Sequence, residues 1–234
     1  LKSAGVLKSD QINDGVIYEA ENETNPTVVE NEMKFNIDWE GGQKTGFFVD
    51  QRDNRELVKK LAKDKHVLNT FCYTGGFSIA AYKGGAKSVT SVDSSKLAIE
   101  QCRENLQLNA CPIDNCVVED TFQFLKSDDT AYDLVILDPP AYAKNMKAKH
   151  NAVQGYKRLN AEAMRKIASG GILLTFSCSG VITRGLFENT IIAAAISVGR
   201  SARILYHLSQ PADHPVNVYH QEGEYLKGLV LEID

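Results

Sequence analysis

The feature that most constrains this chain is a regular alternation of strand-like and helix-like segments between residues 66 and 233. Residues 66–71, 88–92, 116–118, 134–137, 172–176, 203–206 and 226–233 are short apolar or β-branched runs that read as strands. Residues 95–108, 121–126, 156–168 and 183–198 carry apolar positions at helical spacing. Strands separated by helices pair in parallel, because each crossover must return over a face of the sheet. The predicted fold class is therefore α/β, with helices on both faces. A long Pro-containing loop at 210–224 precedes the last strand and suits an antiparallel finishing hairpin.

Upstream the pattern differs. From Val28 apolar positions alternate through Met33, Phe35, Ile37 and Trp39, turn at Gly41-Gly42 and resume at Phe47-Phe48-Val49, which reads as a β-hairpin. The expected organisation is a linker or arm over 1–27, the hairpin segment over 28–54 and the α/β domain over 55–234. At 234 residues there is room for one sizeable domain and hardly for two. The net charge of −4 argues against free nucleic-acid binding by the chain alone, since phosphate neutralisation needs clustered cations. Five cysteines without CxxC spacing point to a reduced, cytoplasmic protein with no metal site. The apolar run at 191–198 is too short to cross a bilayer. The first residue is Leu1 rather than Met, which suggests a fragment or a processed form with any N-terminal domain outside it.

Open α/β sheets bind ligands at the carboxyl ends of their strands. The first strand runs through Asn69 into Phe71-Cys72-Tyr73-Thr74-Gly75-Gly76, where paired glycines allow a tight turn and the next helix directs its N-terminal amides at a ligand. The second strand ends in Asp93-Ser94, and a carboxylate there accepts hydrogen bonds from a ribose diol. Asp93 would equally serve as a helix N-cap. Asp120, after the third strand, either faces an adenine amino group or caps the following helix, with Gln123 completing a capping box. Asn69, Phe71, Tyr73, Thr74, Gly75, Asp93, Ser94 and Asp120 are the candidate cofactor contacts on this side. The glycine pattern is not G-x-G-x-x-G, so a dinucleotide dehydrogenase is disfavoured.

The fourth strand ends in Asp138-Pro139-Pro140-Ala141-Tyr142. Two prolines give the loop a fixed shape, an Asp orients a base, and Tyr142 offers a stacking face. Asp138 and Pro139 are candidate contacts to the cofactor as well; Pro140, Tyr142 and Lys144 are candidate contacts to the substrate. The fifth strand ends in Ser177-Cys178-Ser179-Gly180, which puts Cys178 among small polar residues where ligands bind. A thiolate there is a candidate covalent nucleophile. Cys102, on a helix, reads instead as a small buried hydrophobe. The stretch from Ala141 to Arg158 has no acidic residue but contains Lys144, Lys147, Lys149, His150, Lys157 and Arg158, either a solvated surface or a phosphate-contacting segment.

Phe47-Phe48-Val49-Asp50-Gln51-Arg52, the Phe71–Ser78 run, Asp138-Pro139-Pro140, Ser177-Cys178-Ser179-Gly180 and Ala212-Asp213-His214-Pro215 together resemble the bacterial large-subunit (23S) rRNA (cytosine-5-)-methyltransferase family. The resemblance runs from about Val28 to the C-terminus. It implies a Rossmann-like, seven-stranded methyltransferase sheet and S-adenosylmethionine as cofactor. It implies ribosomal RNA as partner, with no membrane, and leaves a homodimer open. Cys178 matches the family's nucleophile and Asp93 its ribose ligand. Gln51 and Arg52 match a segment that closes over the cofactor's methionine end; by residue type alone they would be turn residues. The chain departs from the family in three ways. Asn69 stands where Asp is usual, Ala141 stands close to where related enzymes carry a second cysteine, and the family's N-terminal RNA-binding PUA domain is not expected within these 234 residues. The chemistry implied is thiolate addition to carbon 6 of cytosine, methylation at carbon 5, then loss of the carbon 5 proton and of the thiolate. Two alternatives stay open: methylation of a purine nitrogen, and a non-catalytic RNA-binding module.

Overall fold

The computed structural model describes residues 26–38, 46–220 and 223–234. Nine strands and six α-helices are formed among them. Strands β1 (Thr27–Glu30) and β2 (Met33–Asn36) make a two-stranded antiparallel hairpin, in register from Thr27↔Asn36 to Glu30↔Met33. The turn is the two-residue pair Asn31-Glu32, both at positive φ (47° and 68°). That geometry matches the twist of paired strands. The hairpin thus closes one strand earlier than its apolar alternation suggests. Gly41-Gly42 lie outside the described residues, and Val49–Gln51 form a 3-10 turn rather than a returning strand. The alternation of Met33 and Phe35 marks one buried strand face, and a period of two does not say where the partner strand lies.

The main sheet has seven strands: β3 (His66–Thr70), β4 (Ser88–Asp93), β5 (Cys116–Val118), β6 (Tyr132–Leu137), β7 (Ile167–Ser177), β8 (Ala202–Leu208) and β9 (Lys227–Ile233). Their spatial order is β5-β4-β3-β6-β7-β9-β8. The first five are parallel, while β9 runs antiparallel between β7 and β8. Helices α1 (Arg52–Leu61), α2 (Gly76–Lys83) and α3 (Lys96–Leu108) cover one face, and α4 (Thr121–Ser127), α5 (Lys149–Arg165) and α6 (Arg184–Ser197) the other. The strands alternate between the two cores. Val67, Leu134, Ile136, Leu174 and Val230 belong to the first, with the hairpin's Met33 and Phe35; Leu68, Val135, Leu137, Leu173 and Leu231 belong to the second. Strands buried on both faces read as continuous apolar runs, which is why they were legible.

Helix α5 starts at Lys149, seven residues before the first strongly periodic position, and ends at Arg165. Its early turns carry Lys149, His150 and Asn151, so its apolar face is concealed until Tyr156. No helix among the described residues is long and apolar enough to cross a membrane.

Candidate active site

The carboxyl ends of β3, β4, β5, β6 and β7 open into a cavity of about 900 Å³. One side of it is shaped by the β3–α2 loop. Phe71 and Tyr73 sit at φ 52° and 48°, and Gly75, the residue before α2, at 86°. Three left-handed residues within five coil the backbone tightly, a costly conformation for the two aromatic side chains. Backbone bonds hold the coil: Cys72 N donates to Val92 O (3.0 Å) and Gly75 N to Cys72 O (2.9 Å). At Gly75 an added Cβ would stand 2.6 Å from Cys102 Sγ, so glycine is required there for space as well as for φ.

Asp93 locks this loop to the end of β4. Its Oδ2 accepts from Tyr73 N (3.0 Å) and its Oδ1 from Ser95 N (2.9 Å). The N-cap of α3 is Ser95, whose hydroxyl accepts from Ala98 N (3.2 Å), so Asp93 is left to the loop and the cavity that it lines. Asp120 does cap α4: its Oδ1 accepts from Phe122 N and Gln123 N, both at 3.0 Å, while the residue also lines the cavity. Phe71, Thr74 and Ser94 line it too, with Phe122 and Leu97 supplying apolar wall.

The opposite side is assembled from distant segments. Gln51 is buried and donates through Nε2 to Asp138 Oδ2 (2.9 Å), while its Oε1 accepts from Asn54 Nδ2 (2.6 Å). Asp138 is thereby aimed by the 3-10 turn that precedes α1. Pro139 and Pro140 line the cavity beside Tyr142, whose ring packs 4.7 Å from that of Tyr156. Burial pushes both phenols up to about 12, so they remain neutral at physiological pH. Gly155 makes room for Tyr142, since a Cβ there would meet its ring at 2.9 Å. The loop is pinned to the end of β7 by Ser179, whose hydroxyl donates to Ala143 O (2.6 Å). Cys178 lines the cavity, with Sγ 4.0 Å from Pro139 O. By contrast Cys102 is fully buried, and the Cys116 thiol is pushed up by its hydrogen bond to Cys102 and by burial.

Twelve of the predicted residues therefore meet around one cavity: Gln51, Phe71, Tyr73, Thr74, Asp93, Ser94, Asp120, Asp138, Pro139, Pro140, Tyr142 and Cys178. Four do not line it. Asn69 is fully buried beneath the floor, where its Nδ2 donates to Ser78 Oγ (2.8 Å), which in turn bonds Ser91 Oγ (2.7 Å). Gly75 shapes the loop from behind. Arg52 turns outward to Asp213, which also holds His214 Nδ1 at 3.0 Å, tying α1 to the loop before β9. Lys144 is exposed on the loop beyond Tyr142. Other lining residues carry little sequence signal. Phe48 packs edge-on against Tyr73 at 5.3 Å, and Arg158, offered by sequence only as one member of a basic run, also lines the cavity. Arg55 lines it as well, and is held by a bidentate pair with Glu30 at 2.7 Å from both Nε and Nη2.

Among the described residues no group of His, Cys, Asp or Glu is arranged to hold a metal ion. A nucleoside with a charged tail fits the groups present: a carboxylate at the end of β4, apolar walls, and a backbone coil at a helix N-terminus.

A family model described as S-adenosylmethionine-dependent methyltransferase matches residues 14–218. The chain is 45% identical over 223 residues to the protein named ribosomal RNA large subunit methyltransferase I of Aeromonas salmonicida, and 43% over 224 residues to that of Tolumonas auensis. Each alignment covers 93% of this chain and 56% of the relative, so the chain spans about half the length of the curated relatives it matches. Among solved structures it is similar to SMU.776, described as a putative methyltransferase complexed with SAH, with a TM-score of 0.82 and 29% identity over 92% of this chain and 58% of that one. Trm5b from Pyrococcus abyssi shares the fold at 21% identity, with a TM-score of 0.68 over 92% of this chain and 58% of that one. The matched model spans well over half of the chain, and the chain belongs to the S-adenosylmethionine-dependent methyltransferase family.

Proposed function

We propose that the chain carries the catalytic unit of a ribosomal RNA methyltransferase that modifies carbon 5 of a cytosine through a covalent adduct on Cys178. The observation that carries this reading is the meeting of Cys178 and Asp138, from neighbouring strand ends, in the cavity that Asp93 lines on its other side. The curated relatives are named as large-subunit ribosomal RNA methyltransferases, which supports RNA as the substrate class.

Asp93 would hold the ribose hydroxyls of S-adenosylmethionine, Phe122 and Asp120 would face its adenine, and the Phe71–Gly75 backbone with Gln51 would enclose its methionine end. Bound there, S-adenosylmethionine supplies an electrophilic methyl group. Cys178 does the activating work. Its thiolate forms a bond to carbon 6 of the base, and the electron pair released from the carbon 5–carbon 6 double bond makes carbon 5 nucleophilic enough to take the methyl group. The carbon 5 proton then passes to water, its electron pair restores that double bond, and the Cys178 thiolate is expelled. Asp138, aimed by Gln51, accepts a hydrogen bond from the base and fixes its orientation. The base must leave its helix to enter the cavity. Lys144, Lys147, His150 and Arg158 are exposed along the loop and α5 beside the opening and would meet backbone phosphates, which offsets the chain's net negative charge.

Trapping with 5-fluorocytosine-substituted ribosomal RNA and S-adenosylmethionine tests this reading. A covalent adduct mapped to Cys178, and lost in Cys178→Ala, is the expected result. Methyl transfer that survives Cys178→Ala would move the reaction to a purine nitrogen, which needs no thiol. Absence of S-adenosylmethionine binding at millimolar concentration by isothermal titration would leave only a non-catalytic module.

A further inference from the structure

A buried lysine next to Cys178 belongs to none of the motifs. Lys227 opens β9, opposite Ser177 in the antiparallel β7–β9 register, and its side chain is 3% exposed. Its hydrogen bond goes to Ser179 O at 2.7 Å, one residue beyond Cys178. Burying an ammonium is expensive unless an anion compensates it. Among the described residues Lys227 has no carboxylate within ion-pair distance, and the nearby Glu224 is engaged with Arg184 Nη2 at 3.1 Å. Burial pushes the Lys227 ammonium below its ordinary range and the nearby Arg184 adds to that push, while Cys178 and Glu224 work against it. Tyr156 on α5 and Tyr225 before β9 also face the Cys178 thiol, but both phenols are pushed up by burial and stay neutral. Asp138 faces Tyr156, and Asp50 accepts from Tyr225 Oη at 2.7 Å. Among the described residues Lys227 is the buried cation bonded beside Cys178; Arg55 and Arg158 also line the cavity, but Arg55 is paired with Glu30 and Arg158 is exposed on α5.

We propose that Lys227 is the counter-ion of Cys178, a positioning residue whose buried ammonium holds the cysteine as a thiolate ready to attack. This rests on Cys178 being the nucleophile. The step is an ionisation: the Cys178 S–H bond breaks, its proton leaves to water, and Lys227 keeps its own protons. The same charge receives the thiolate when the base departs at the end of the cycle. Lysine suits the place because its ammonium bonds one carbonyl, Ser179 O, an arrangement that a compact point charge fills better than a planar guanidinium.

The test reads thiol ionisation without any substrate. Iodoacetamide alkylation of Cys178 is followed against pH by peptide mass spectrometry, which separates it from Cys72 and Cys111. In Lys227→Met the midpoint for Cys178 rises by about 1–2 pH units, the scale of losing an adjacent opposite charge, and Lys227→Arg restores part of that shift. The profile of Cys111, remote from Lys227, stays in place and reports an intact fold. If Lys227→Met unfolds, the reciprocal measurement decides: in Cys178→Ser, Lys227 followed by NMR titrates at lower pH than in the wild type. An unmoved Cys178 midpoint in folded Lys227→Met, or an unmoved Lys227 titration in Cys178→Ser, overturns the proposal. The 5-fluorocytosine trap is a separate readout. If the wild type forms no adduct while the alkylation midpoint still depends on Lys227, it is the cytosine reading that fails.

Discussion

At the β3–β4–β5 end the cavity wall is built by backbone, whereas at the β6–β7 end it is built by side chains delivered from far away. The first end is a coil of left-handed residues held by main-chain bonds and by one carboxylate twenty residues downstream, which accepts from Tyr73 N at 3.0 Å. The second depends on pairs that are remote in sequence. Gln51 aims Asp138 across 87 residues, Tyr225 reaches Asp50 across 175, and Arg52 meets Asp213 across 161. A binding cradle for an invariant ligand is well served by local geometry that forms with the fold. A reacting centre needs several functional groups converging on one point, and only long-range packing brings them there.

That division can be broken by mutation. Cys178→Ala is the largest expected effect: methyl transfer falls by on the order of 10³-fold or more, the scale of removing a nucleophile from a unit that acts together, while S-adenosylmethionine affinity by calorimetry is unchanged. A matching loss of affinity would mean that the two ends are not separable. Gly75→Ala should cost about 2–4 kcal/mol in urea unfolding, combining a left-handed alanine with an overpacked contact to Cys102. It would strike the cofactor end through stability rather than chemistry.

Asp93→Asn comes next. The amide cannot accept through both arms, so one of the bonds to Tyr73 N and Ser95 N is lost together with the charge offered to a ribose. The dissociation constant for S-adenosylmethionine is expected to rise about 10- to 100-fold, with kcat at saturating cofactor little changed. The smallest effect sharpens the comparison most. Gln51→Ala removes the hydrogen bond to Asp138 and the one from Asn54 without altering any atom proposed to react, and kcat should drop about tenfold while cofactor affinity moves less. Equal drops in both would mean that its place at the cofactor's methionine end outweighs its hold on Asp138.

Much of the fold was legible because its signals are local. Doubly buried strands such as residues 134–137 announce themselves as apolar runs, and the loops that follow them must lie on one edge of a parallel sheet. Twelve candidate residues meet around the cavity for that reason. The misplaced pieces are those where local patterns carry no partner information. The hairpin turned at Asn31-Glu32 because Asn tolerates positive φ, a preference weaker than that of the later glycines. Asn69, in the last turns of a strand, points under the sheet floor to Ser78 rather than into the cavity, since alternate residues of a strand face opposite sides.

By itself, then, the amino-acid order determined the α/β class, the chain of strand ends that carry Asp93, Asp138 and Cys178, and the glycine loop that needs no Cβ. Those follow from periodicity and from single-residue conformational limits, which act within a few positions. Only the tertiary structure decided that Gln51 aims Asp138, that Arg52 turns out to Asp213, and that Lys227 is buried against Ser179 beside Cys178. Each depends on the antiparallel insertion of β9 or on the docking of α1, and such register between distant segments is set by the packing of two whole cores rather than by any stretch of sequence.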